Sequence, residues 1–281
     1  MELEGFIDGV VEMSKTAIRQ EENDYIGDDG LLYCGKCHTR KQTEIEILGR
    51  TRRPFCLCKC AAEKRDAEEA ERKQKEYRLT IEKLRKAGFP ESDMESWTFE
   101  NDDMSNKPIT EAMKKYVQNF SNFRKAGKGL LLWGETGTGK TYAACEVANA
   151  LVDEGYPVLV TNFSRIINEL QGTFDKKQEY IDGFNRFSLI VIDDLSTERN
   201  TEFMNEQVFQ IVDARYRAKL PMIITTNLSM REIKDPHDIA KKRIYERILE
   251  RCHPIKVDGS NRRKAKVKEE YDEMQKMLGL G

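Results

Sequence analysis

The sequence has no run of about 18 apolar residues, the minimum for a helix that spans a bilayer. Its opening, MELEGFIDGVVEM, is acidic where a secretory leader is basic and then apolar. Those two absences point away from a helical membrane protein and a Sec-type leader, and the expected setting is the cytoplasm. Net charge is nearly missing too, because 47 Lys and Arg against 49 Asp and Glu leave only −2. The field of the whole molecule therefore offers no attraction for a polyanion, and any nucleic-acid contact must rest on a local patch. No internal repeat is visible. Cysteine is scarce except in one place: five of the seven lie between Cys34 and Cys60. Crowding of that kind in a cytoplasmic chain points to a metal rather than to disulfides.

What is present divides the chain in three. At 281 residues there is room for one α/β core and a small module. Between Met1 and Asp29, Leu3, Phe6, Ile7, Val10, Val11 and Met13 fall near helical spacing, so a short amphipathic helix is expected ahead of the cysteines. Residues 1–60 form the first division. From residue 61 to Gly88 the chain has no helix breaker and carries i,i+4 pairs such as Glu68/Arg72, Glu69/Lys73 and Glu71/Lys75. Its first half lacks an apolar stripe, so it is expected to stand in solvent as a connector, with only Tyr77, Ile81 and Leu84 available for docking. Gly88 and Pro90 end it, and a linker completes 61–96. In the third division, 97–281, five apolar runs alternate with helical stretches: 129–133, 157–162, 188–193, 221–226 and 254–259. That alternation predicts an α/β fold with a five-stranded parallel sheet covered on both faces.

The first of these runs is followed by Gly134, Glu135, Thr136, Gly137, Thr138, Gly139, Lys140 and Thr141, and then by a helix opening at Tyr142. A strand, G-x-x-x-x-G-K-T and a helix make a phosphate-binding loop in its required context. The glycines let backbone N–H groups turn inward, and the positive end of the helix dipole adds to them. Lys140 supplies charge between the β- and γ-phosphates of ATP, and the Thr141 hydroxyl is a ligand for Mg²⁺. The run LIVIDDL then delivers Asp193 to the C-terminal edge of the sheet as a second Mg²⁺ partner, with Asp194 placed to orient or deprotonate the attacking water. The run IITTN ends in Thr225, Thr226 and Asn227, polar groups placed to sense the γ-phosphate. Arg243 and Arg247 lie one turn apart on a later helix. An arginine reaching from a neighbouring subunit would complete the charge compensation, with Arg247 as the finger and Arg243 as its support.

These motifs, in this order and spacing, resemble the AAA+ ATPases of the DnaC/DnaI helicase-loader group and the IstB transposition helpers, over about Trp97 to Arg263. The resemblance implies ATP and Mg²⁺ at the positions just named, a sheet in AAA+ strand order, self-association through the arginine finger, and a replicative DNA helicase as partner. It also implies single-stranded DNA binding through the segment between the second and third strands. There Phe163, Arg165, Phe174, Lys176, Lys177, Tyr180, Phe184 and Arg186 interleave aromatic and basic groups, while Ile166, Ile167 and Leu170 are core-like. Arg165, Lys176 and Lys177 are the candidate contacts. Where many AAA+ proteins carry a helical lid, only a short basic tail remains, and Arg262 or Arg263 are the candidates to replace its sensor arginine. The aspartate at 194 stands where many ring ATPases have glutamate, which implies slow turnover.

The cysteine pattern is CGKC at 34–37 and CLCKC at 56–60. Zn²⁺ takes four thiolates tetrahedrally, and a closed set of four is structural. Cys34, Cys37, Cys58 and Cys60 are the chosen ligands; Cys56 competes for either of the last two places, and His38 is a further alternative. Cys145 and Cys252 are expected in the core. A module so small depends on its metal for folding. In the zinc-bearing loaders the resemblance makes this module the part that grips the helicase, and the five-cysteine form is similar to loaders carried by bacteriophages.

Overall fold

The computed structural model describes residues 20–47, 49–171, 177–195 and 202–280. The apolar positions expected to form a helix near the N-terminus, Leu3 to Met13, lie outside those residues. The chain separates into two compact units, Met1–Arg78 and Leu79–Gly281. One helix, α1 (Lys59–Gly88), passes through both.

The first unit is built from two short antiparallel pairs, β1 (Tyr25–Ile26) with β2 (Leu32–Tyr33) and β3 (Ile45–Ile47) with β4 (Arg50–Arg52). Its core is small: Leu31, Leu32, Cys34 and Cys58 are buried. One buried ion pair supplements it, Lys41 Nζ to Asp24 Oδ2 at 2.5 Å. The solvent-standing part of α1 behaves as its composition predicts. Lys73 meets Glu69 at 2.7 Å, while Arg72 reaches Glu76 at 3.9 Å instead of the expected Glu68. Exposed pairs of this kind contribute about 0.3–0.5 kcal/mol each, enough to favour the helix but not to hold it on anything.

The second unit is a parallel five-stranded sheet in the order β6 (Val158–Asn162), β7 (Leu189–Leu195), β8 (Met222–Thr226), β5 (Gly129–Trp133), β9 (Cys252–Lys256). Four strands lie where the apolar runs place them. The fifth lies earlier than 254–259, because its parallel register with β5 begins at Gly129 opposite Cys252. The period-two rule decides which face each side chain covers. Leu130 and Leu132 join one core layer with Met113, Phe120 and Leu151, and Leu131 joins the other with Phe163, Ile166 and Ile248. Cys145 and Cys252 are buried as expected.

The first layer also takes in Ile81, Leu84, Phe89 and Met94. The compact unit therefore starts upstream of residue 97, because the last turns of α1 bring Ile81 and Leu84 into that layer. Tyr77, grouped with them from the sequence, stays 51% exposed. The last residue of the helix, Gly88, has no room for a side chain: a Cβ there would stand 2.3 Å from the carbonyl oxygen of Val158. On the other face Arg215 is fully buried and donates to the carbonyls of Phe184, Phe187 and Pro221 at 3.1, 2.9 and 2.7 Å. It pins the turn before β7 to the start of β8.

Candidate functional site

The phosphate loop joins β5 to α4 (Lys140–Asp153), the fourth helix after α2 (Lys107–Gln118) and α3 (Phe120–Ala126). Gly137 and Gly139 hold φ of 84° and 95°, the left-handed region that only glycine enters freely. At Gly137 a Cβ would also strike the Asn261 side chain at 2.2 Å. Lys140 is 6% exposed and curls into the loop, its Nζ donating to Gly134 O at 2.9 Å and Glu135 O at 2.6 Å. Thr138 closes the loop by donating to Glu135 O at 2.9 Å. Gly134, Glu135 and Thr138 thus shape the loop, while Thr136, Gly137, Gly139, Lys140, Thr141 and Tyr142 line a pocket of about 400 Å³.

Asp194 and Asn227 line the same pocket from the ends of β7 and β8, so three segments far apart in sequence meet there. Asp193 sits behind them. The Thr225 hydroxyl, fully buried, donates to Asp193 Oδ1 at 2.6 Å and accepts from the Asp194 N–H at 3.0 Å. Asp194 itself has φ of 57°, and the β7–β8 register shifts between Ile192 and Leu195. This bulge turns the second carboxylate out of the strand and toward the pocket. Thr225 and Thr226 were expected beside Asn227 as phosphate sensors. Both hydroxyls are instead used inside the sheet edge, that of Thr226 donating to Leu195 O at 2.9 Å. Only Asn227 faces the pocket.

Two lining residues fall outside the phosphate-loop, aspartate and sensor motifs. Trp97 stacks on Tyr142 with ring centroids 5.7 Å apart and forms an aromatic wall. No motif flags it, although it stands at the composition change that opens the α/β region. Arg262, one of the two tail candidates, begins α10 (Arg262–Met277) and is held over the loop: its N–H donates to Gly137 O at 2.9 Å and its guanidinium meets Asp103 at 3.2 Å. The tail is helical from that point, capped by the Asn261 side chain on Lys264 N at 3.1 Å. The side chain of Arg263 lies outside the described residues. Glu146, one turn beyond Tyr142, is 2% exposed; burial, reinforced by the nearby Asp102, pushes its carboxyl up to about 8.

Three further helices follow β6: α5 (Phe163–Gln171), α6 (Lys177–Gly183) and, after β7, α7 (Glu202–Ala218). After β8 come α8 (Met230–Lys234) and α9 (Ile239–Arg251). Arg243 and Arg247 project from α9 on one face and both pack on the Phe209 ring, at 4.6 and 4.5 Å from its centroid. Arg247 Nε also donates to the buried Asp213 at 2.8 Å, and Arg243 is exposed. Neither lines the pocket of its own chain. The expected DNA segment is used mostly for the core: Phe163, Ile166, Ile167, Leu170 and Phe184 are buried. Arg165 and Tyr180 both turn to Glu169, at 3.3 and 2.5 Å. Lys177 opens α6, whereas Phe174 and Lys176 lie outside the described residues.

In the first unit the sulfurs of Cys34, Cys37, Cys58 and Cys60 all lie within 4.8 Å of one another. Tetrahedral ligation at about 2.3 Å requires sulfurs about 3.8 Å apart. Cys34–Cys60 at 3.7 Å and Cys58–Cys60 at 3.5 Å already stand near that spacing. Cys56 turns away to Arg40 O at 3.7 Å, and His38 Nδ1 meets the Tyr25 hydroxyl at 3.3 Å. Crowding divides the thiols. Hydrogen bonds from Thr39 hold Cys37 down at about 5, while Cys58 and Cys37 push Cys60 up to about 12. A divalent cation that prefers thiolates would remove that conflict.

A parallel sheet in this order, with a phosphate loop after β5, the strand between β8 and β9, and paired aspartates two strands away on β7, defines a P-loop nucleotide-binding unit of the AAA+ type. The model of the IstB-like ATP-binding proteins matches residues 64–270, and the chain belongs to that family. It is 28% identical over 195 residues to the replicative helicase loader DnaI of Bacillus subtilis, covering 64% of this chain and 62% of that protein. It is 25% identical over 158 residues to the replicative helicase loader DnaC of Escherichia coli K12, covering 55% of this chain and 62% of the relative. The match therefore spans about three-fifths of each relative's length. The crystal structure of a DnaC helicase loader shares the fold, with a TM-score of 0.52 at 22% identity, over 60% of this chain and all of that one. Among the described residues no helix is long and apolar enough to cross a membrane.

Proposed function

We propose that this chain is an ATP-dependent loader of a replicative DNA helicase, acting in the cytoplasm and hydrolysing ATP slowly. The observation that carries the reading is the meeting of the phosphate loop, Asp194 and Asn227 in one pocket, in a chain whose relatives are named helicase loaders. Backbone N–H groups of the loop and Lys140 bind the phosphates. Thr141 and Asp193 would hold Mg²⁺, which would supply charge neutralisation to the phosphates. Asp194, turned toward the pocket by its bulge, orients the attacking water, and Asn227 holds the γ-phosphate. Asp194 is one methylene shorter than glutamate, which supports slow turnover.

Arg247 is proposed as the finger offered to the nucleotide of a second copy, with Arg243 beside it on Phe209. Asp213 then competes for the same guanidinium, so finger engagement depends on breaking an internal ion pair. Residues 1–60, with zinc on Cys34, Cys37, Cys58 and Cys60, make the helicase-gripping module, and the part of 61–96 ahead of Ile81 connects it to the ATPase, whose core takes in the rest. Single-stranded DNA is taken by Arg165, Lys176 and Lys177. A second reading, an IstB-type transposition helper, is favoured by the family match itself and by 23% identity to a putative ATP-binding protein in an insertion sequence of Mycobacterium tuberculosis.

The test is to mix the purified chain with the host's replicative helicase in ADP, ATP or a non-hydrolysable analogue, and to measure ATP turnover with and without single-stranded DNA. A nucleotide-dependent complex and a DNA-stimulated rate are expected. No complex in any nucleotide state removes the loader reading, and binding to duplex DNA and a transposase replaces it. A complex without turnover above background leaves a nucleotide-switched adaptor.

A further inference from the structure

The last turns of α1 are tied to the nucleotide pocket through two polar side chains that the motifs do not account for. Arg85 donates from one guanidinium nitrogen to Asn149 Oδ1 at 2.6 Å and from the other to Asp153 Oδ1 at 2.5 Å. Asn149 lies on α4, the helix that starts at the phosphate loop, and is 1% exposed. Its amide nitrogen faces the carbonyls of Met94, Trp97 and Cys145 at 2.8, 2.9 and 3.1 Å. Trp97 then stacks on Tyr142, whose hydroxyl reaches Thr98 O at 3.4 Å, and both rings line the pocket.

The loop end of that pocket is polar and takes phosphates, so a planar base is left with the Trp97–Tyr142 wall. Stacking on such a wall is worth something only if the ring is held in place. Trp97 sits in the irregular segment between the turn Ser92–Ser96 and α2, where no helix or strand ladder fixes it. The buried Asn149 amide does that work, and a buried amide oxygen needs a donor of its own, which is Arg85. We infer that Arg85 and Asn149 are positioning residues for nucleotide binding: they fix Trp97 as the base-side wall, so that ATP affinity depends on how the last turn of α1 is seated. By linkage, ATP binding strengthens that seating by the same factor. This inference rests on reading the pocket as the ATP site.

The chain has two tryptophans, Trp97 and Trp133, so Trp133→Phe leaves Trp97 as the only emitter. In that background, ATP titrations should change the Trp97 emission. Arg85→Met should weaken ATP affinity by about fivefold or more and shift the emission before any nucleotide is added, with kcat at saturation unchanged within about twofold. Arg85→Lys should recover part of the affinity, and Asp153→Asn, which spares the Asn149 contact, should lose none. If Arg85→Met does not fold by circular dichroism, Trp97→Leu carries the test and must weaken ATP binding to the same extent. Wild-type affinity and emission in Arg85→Met, or wild-type affinity in Trp97→Leu, overturns the inference. Lys140→Ala in the same titration separates the two levels. Unchanged affinity there defeats both the pocket assignment and this inference, whereas loss there with none in Arg85→Met defeats the inference alone.

Discussion

Replacing Thr225 by valine removes one hydroxyl and almost no volume, at a position fully shielded from water. The hydroxyl makes two hydrogen bonds at once, donating to Asp193 Oδ1 at 2.6 Å and accepting from Asp194 N at 3.0 Å. The first is to a carboxylate and contributes about 1.5–3 kcal/mol; the second is neutral and contributes about 0.5–1.5 kcal/mol. A loss near 3 kcal/mol in a unit of this size lowers the melting temperature by about 6–12 °C. The functional effect should be larger than the loss of stability suggests, because the same hydroxyl sets both aspartates. A shift of about 1 Å in the attacking-water position costs up to about 100-fold in rate. The expected pattern in a phosphate-release assay below the melting point is a fall in kcat of about 10- to 100-fold, with ATP affinity nearly unchanged because the loop is untouched. Thr225→Ser, which keeps the hydroxyl, should restore most of the rate. A Thr225→Val protein that hydrolyses ATP at the parental rate would refute the reasoning.

Two further predictions concern the buried titrating groups. Glu146 has a folded pKa of about 8 against 4.5 in an unconstrained chain, so the folded state holds the extra proton between those values. Its contribution to stability is full below pH 4.5 and is lost as pH rises through about 8. Urea melts should show stability declining over that window, and Glu146→Gln should flatten the decline; an identical slope in the variant removes Glu146 as its source. For the cysteine cluster, metal analysis should return one zinc per chain, abolished by Cys34→Ser or Cys58→Ser and retained in Cys56→Ser. Chelation should unfold the first unit while leaving ATP binding in the second intact, and zinc loss in Cys56→Ser would reassign the ligand set.

The α/β architecture was legible because buried parallel strands read as continuous apolar runs, and four of the five lie where those runs place them. The phosphate loop was legible because its glycines and Lys140 are adjacent in the chain, so their geometry is local. The sulfurs of Cys34, Cys37, Cys58 and Cys60 converge, whereas spacing alone left Cys56 in competition for a place, and only the fold turns it away to Arg40 O. The sensor residues were read only in part. A strand end ITTN offers three polar groups, and nothing in the sequence says that Thr225 and Thr226 turn inward while Asn227 turns to the pocket. In the interleaved aromatic and basic segment from Phe163 to Arg186 the spacing likewise does not say which rings turn inward, and Phe163 and Phe184 pack in the core.

The sequence alone determined the kind of chemistry: a triphosphate cradle, two carboxylates at a strand end and a four-thiol cluster, each set by neighbours within a few residues. Tertiary structure decided the partners of those groups. Thr225 was assigned to the aspartates, Arg247 to Asp213, Arg262 to the loop and Trp97 to the pocket wall through Asn149 and Arg85. Such contacts join residues 31 to 125 positions apart, and they form only once the sheet order brings the strand ends side by side. Local spacing carries no record of that order, because it is fixed by which faces bury together and not by any one segment.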